Sequence, residues 1–172
     1  PVLSSGEAAC GTWILGTTSG FDSDEVEAAI TSGTTPSVVF TATTDHDEVS
    51  SIELTPPGTV SVPVNSEPVV TATLRDSYGN LVTGENLTVF IKDTADGTLS
   101  ADPSNPNPTS ELSPVMRSGT SDSTGTITVV YVAPASAGVQ DVLDADNVRV
   151  GAGSIADVTY TTTASIATKL LV

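Results

Sequence analysis

Cations are scarce in this 172-residue chain: five Lys and Arg stand against 21 Asp and Glu, for a net charge of −16. The five (Arg75, Lys92, Arg117, Arg149 and Lys169) are scattered singly. A protein that holds nucleic acid needs clustered cations to neutralise phosphates and release counterions. The sequence therefore excludes DNA and RNA as partners, and it disfavours an anionic membrane surface on the same ground. No apolar run approaches the roughly 20 residues that span a bilayer, so direct membrane insertion is not expected. With one cysteine, Cys10, the chain can form no intrachain disulfide. This suits a cytosolic protein and equally a disulfide-free bacterial surface protein. There is one histidine, His46, and no initiating methionine. The latter leads us to expect a processed protein or a piece of a longer one.

Nucleophilic catalysis needs a nucleophile, a base and an orienting group. His46 lies among acidic residues, and no Gly-x-Ser-x-Gly elbow, phosphate loop, dinucleotide fingerprint or zinc spacing occurs. Cys10, at the start of an expected strand, reads as a small buried apolar residue. We therefore expect no enzymatic activity and no catalytic residues. Asn86-Leu87-Thr88 fits the N-glycosylation pattern, but it opens an expected strand.

What the chain has in abundance is Thr, Ser, Gly and Val, residues of strands and turns, with few strong helix formers. Apolar residues make up 38%, enough to bury a core. Period-two alternation marks Val69–Leu74, Leu87–Ile91, Ile127–Tyr131, Val38–Ala42 and Val158–Thr161 as strands. Turn signals separate them: Tyr78-Gly79-Asn80, Asp96-Gly97, Ser123-Thr124-Gly125 and Ala137-Gly138. Residues 100–114, with four prolines, read as a long excursion loop that cannot be a central strand. The pattern predicts an all-β chain, an immunoglobulin-like β-sandwich.

The chain also matches itself. Trp13 in GTWILG aligns with Tyr131 in ITVVYV, Gly20 with Gly138, and Phe40 in SVVFTATT with Tyr160 in DVTYTTT. The offsets are about 118 to 120 residues, and SSIELTP parallels ASIATKLLV. From this we expect one complete repeat flanked by partial repeats. Residues 1–45 would be the C-terminal strands of a preceding repeat and 46–164 a complete one containing the Pro-rich excursion. Residues 165–172 would be the first strand of a following repeat, or a donor strand.

These residues resemble a bacterial Ig-like repeat of the invasin/intimin type. There a strand ends in Asp, a turn carries Gly-Asn, a Gly precedes a Val-rich strand, and later Gly and Ala-Gly turns flank another. Here the corresponding positions are Leu74, Asp76, Gly79-Asn80, Gly84, Val89, Gly125 and Gly138. The resemblance implies a tandem repeat protein of the bacterial cell surface or extracellular space, structural or adhesive, acting as a spacer or binding repeat. The partners it implies are neighbouring Ig-like repeats and a host or cell-surface ligand. The alternative is a filament whose identical subunits join head to tail, residues 165–172 completing the partial sandwich of the next molecule.

Calcium is the one cofactor the residues suggest. Hard divalent cations take carboxylate and carbonyl oxygens. Three acidic clusters, at 22–25, 45–48 and 141–147, are expected in turns or linkers. Asp45, Asp47 and Glu48 lie where one repeat would meet the next, so an ion there would stiffen the junction. None of the clusters matches an EF-hand loop, and in so acidic a chain acidic turns are expected in any case.

Overall fold

The computed structural model describes residues 11–29, 37–93, 96–105, 109–150 and 157–165. Cys10 and all of the terminal segment 165–172 except Ser165 lie outside them. The described residues contain twelve strands and no helix. The chain divides into two compact units, Pro1–His46 and Asp47–Val172.

In the first unit, β1 (Gly20–Ala28) and β2 (Val38–Thr44) pair antiparallel, with Val26 opposite Phe40 and a bulge between Gly20 and Asp24. The Asp24 carboxylate accepts the Gly16 N–H at 3.0 and 3.1 Å, which ties the incoming segment to the ribbon. Strand pairing sets Val26, Ala28, Val38, Phe40 and Ala42 on one face.

The second unit is a sandwich of two sheets. Its strands are β3 (Ser51–Thr55), β4 (Gly58–Pro63), β5 (Val69–Arg75), β6 (Asn86–Ile91), β7 (Thr98–Ala101), β8 (Ser110–Ser113), β9 (Met116–Thr120), β10 (Thr126–Val132), β11 (Gln140–Asp146) and β12 (Val158–Thr163). One sheet has the order β3-β5-β10-β7 and the other β4-β12-β11-β6-β9-β8. The first order, and the run β12-β11-β6 in the second, are those of the immunoglobulin sandwich. β4 runs parallel to β12, and the hairpin β8–β9 extends the second sheet beyond β6.

The alternation read from sequence puts side chains where it should. Val70, Ala72 and Leu74 of β5 are fully buried between Thr71 and Thr73, which are only half-buried. Leu87, Val89 and Ile91 of β6 face the same core, as do Ile127, Val129 and Tyr131 of β10. One apolar cluster draws on both sheets, and removal of that surface from water, at roughly 25 cal/mol per Å2, drives their packing. Tyr131 of one sheet stacks on Tyr160 of the other, ring centroids 4.6 Å apart.

Three expectations change. Residues 100–114 are not one loop: β7 ends inside them, and β8 forms a short strand at the sheet's edge, where prolines nearby cost no ladder bonds. The acidic cluster 141–147 is not a turn, since Asp141, Asp144 and Asp146 lie on β11. The cluster at 22–25 lies on β1.

Candidate functional site

The residues chosen from sequence as cation ligands, Asp45, Asp47 and Glu48, are all exposed. Asp45 belongs to the first unit, and its Oδ1 accepts the His46 N–H at 2.9 Å. Asp47 and Glu48 belong to the second unit. Asp47 Oδ1 accepts the Glu48 N–H at 2.8 Å, and the Glu48 carboxylate pairs with Arg149. Among the described residues no three His, Cys, Asp or Glu side chains gather as a metal-binding group.

The turn after β5 is where the segment is fastened. Asp76, almost wholly buried, accepts four hydrogen bonds. They come from the N–H groups of Tyr78 (2.9 Å), Asn80 (2.8 Å) and Asp47 (3.1 Å) and from Asn80 Nδ2 (2.8 Å). Burial alone would raise its pKa. The Asn80 amide and the N–H groups of Asp47, Asn80 and Tyr78 outweigh burial and bring it down to about 2. Gly79, with φ of +87°, turns the chain so that Asn80 can reach back. Asp47 thus contributes its backbone N–H to this turn, a role that its carboxylate gave no reason to expect.

Inside the sandwich lies a buried polar group. Asp141 and Tyr131 are both fully buried, and Tyr131 Oη donates to Asp141 Oδ2 at 2.7 Å. The Gly97 N–H donates to the same oxygen at 3.0 Å. Burial, and then the Asp141 carboxylate that accepts its proton, hold the Tyr131 phenol far above its usual pKa. Burial raises Tyr160 to about 12. Gly97 is required by closeness: a Cβ there would lie 2.6 Å from Asp141 Oδ2 and 2.7 Å from Tyr131 Cε2.

A third cluster lies on the outer side of the six-stranded sheet. Lys92 Nζ is 3.0 Å from Asp144 Oδ2 and 2.9 and 3.1 Å from the two oxygens of Asp157. Asp144 is fully buried, whereas Lys92 and Asp157 are more than one-third exposed. The bonds to Asp157 and Asp144 raise the pKa of the Lys92 ammonium. Sequence reasoning missed this triad. The only signal was a lone cation following a strand, and the pairing of distant strands supplies the rest.

No helix of the described residues is long and apolar enough to cross a membrane. No protein-family model matches the chain, and no curated protein matches it. Among solved structures, it is similar to domains 4 and 5 of the S-layer protein SbsC. That match has 18% identity over 75% of this chain and 53% of that one, with a TM-score of 0.45. The chain thus spans about half the length of that structure. It is also similar to the Reelin-N domain of F-spondin, at 16% identity over 69% of this chain and 83% of that one, TM-score 0.42. A third likeness is to AggA, the major subunit of aggregative adherence fimbriae type I from Escherichia coli. There the identity is 16% over 66% of this chain and 93% of that one, TM-score 0.31.

Proposed function

We propose that the chain is a structural or adhesive Ig-like module of a bacterial cell-surface or extracellular protein. In this reading it is a non-catalytic spacer or binding repeat within a tandem array. The observation that supports it is the pairing pattern of the ribbon. Val26, Val38 and Phe40 share one face of β1–β2, as Leu143, Val158 and Tyr160 share the core face of β11–β12. A ribbon patterned like the closing strands of a sandwich, next in sequence to a whole sandwich, is what a tandem array would present.

The exposed apolar face of that ribbon favours a second reading, a filament subunit completed by residues 165–172 of another copy. Light scattering on the purified 172-residue chain across a concentration series separates the two. A constant monomer mass is expected for the array module. Open-ended polymers that vanish on deletion of residues 165–172 would establish the filament reading instead.

A further inference from the structure

We propose that Lys92 and Asp144 join in an intramolecular amide bond, made by the protein itself, that staples β6 to β11.

The ladder between these strands brings the groups together. Leu143 pairs with Ile91 and Asp144 with Phe90, so Lys92, just beyond β6, lies diagonally across from Asp144 on the same face. Its backbone N–H donates to the Val142 carbonyl at 2.8 Å, which fixes where the side chain starts. On the other flank of β11, Leu143 pairs with Val158 of β12. One residue further along the antiparallel ladder, Asp157 falls beside Asp144. Two carboxylates side by side repel, and Lys92 lies within 3.1 Å of oxygens on both.

Each of the parts that amide formation needs is present. Lys92 is the nucleophile. Asp144 is the electrophile, shielded completely from water, with half-buried Phe90 directly across the ladder. Its Oδ1 accepts the Ala145 N–H at 2.8 Å, a donor already in place for charge that develops on that oxygen. Asp157 touches the reacting nitrogen and can carry its proton.

The step balances without a co-reactant. A proton passes from the Lys92 ammonium along the 3.0 Å contact to Asp144 Oδ2, leaving a neutral amine and a neutral acid. The amine attacks Cγ, the C–N bond forms, and Oδ1 takes up negative charge against the Ala145 N–H. Asp157 removes a second proton from the nitrogen and delivers it to the departing hydroxyl. The Cγ–Oδ2 bond breaks, water leaves, and Asp157 is returned unchanged. In a chain with a single cysteine, such a bond would provide a covalent tie that no disulfide within the chain can provide.

Intact-mass measurement of the purified 172-residue chain tests this. The expected mass is about 18 Da below that of the linear, unlinked chain, the loss of one water. Peptide mapping should find a branch joining the Lys92 peptide to the Asp144 peptide. Lys92→Arg keeps the ion pair but offers no amine, so that variant should fold and show its full mass. Asp157→Asn should lose most of the linkage. A wild-type mass equal to that of the linear chain overturns the proposal. So does a deficit that persists in Lys92→Arg, which would mark a dehydration elsewhere, such as at Asp96-Gly97.

Discussion

The ribbon β1–β2 and the pair β11–β12 carry similar residues in similar pairing, and their surroundings give those residues opposite fates. Phe40 is 54% exposed and Val38 also 54%, whereas Tyr160 and Val158 are wholly buried. Trp13, the sequence counterpart of Tyr131, is 36% exposed, while Tyr131 is stacked on Tyr160. Alternation decides which residues share a face, but only a second sheet turns that face into core. The sandwich supplies such a sheet through β3-β5-β10-β7. The ribbon displays an apolar surface of the kind that proteins use for association.

The difference should show in a pair of truncations. Tyr160→Ala removes one member of the stacked pair and leaves a cavity in the core, at a cost of about 3–5 kcal/mol in unfolding free energy. Phe40→Ala should change stability by no more than about 0.5 kcal/mol, as truncations away from packed contacts do. Urea unfolding of both variants makes the measurement. A large loss for Phe40→Ala would mean that the ribbon face is covered in solution, and the contrast between the two pairs would collapse.

A finer test stays within the sandwich and asks how tightly its core is built. Gly97→Ala drives a methyl group into Asp141 Oδ2 and the Tyr131 ring. The ring is also stacked on Tyr160, so it cannot retreat cheaply. Overpacking at such a site costs about 1–3 kcal/mol. The ribbon has no matching site: a Cβ on Gly20 would meet only Ser23 Cβ, at an ordinary 3.6 Å, so Gly20→Ala should leave unfolding unchanged. Equal effects of the two substitutions would show that the crowding around Asp141 relaxes freely.

Strands whose apolar residues alternate with Thr were legible before the fold was seen, because period two leaves a mark in sequence wherever one face is buried. β5, β6, β10 and β12 are of this kind. β11 was not legible. It carries Asp141, Asp144 and Asp146, and an acid is read as solvated unless its partner is known. The partners are Tyr131 and Gly97 for Asp141 and Lys92 for Asp144, each brought in from another part of the chain. The same limit explains the linker. Asp45, Asp47 and Glu48 stood out by their charge, yet the structure involves the Asp47 N–H with Asp76 and the Glu48 carboxylate with Arg149. Asp76 was visible only as a motif position, and its meaning as a fourfold acceptor depended on a fold that returns residue 47 to it.

Asp76 allows the smallest and most specific test, since it fastens the start of the sandwich and has no counterpart in the ribbon. Its four donors bind the ionised form, so its folded pKa of about 2 lies below the ordinary value of 3.8. A depressed carboxylate pKa adds stability that is fully present above the unfolded value. That stability declines as pH falls through 3.8 and is gone once pH passes below about 2. Wild-type unfolding free energy, followed from pH 5 to pH 2, should therefore fall more steeply than that of Asp76→Asn. The Asn variant lacks the titrating group and keeps one acceptor oxygen. At pH 5 the variant should be the less stable of the two, and the gap should narrow towards pH 2. Parallel pH profiles would mean that the four donors hold the Asp76 carboxyl equally well in either protonation state, and that the start of the sandwich is fastened by shape rather than by charge.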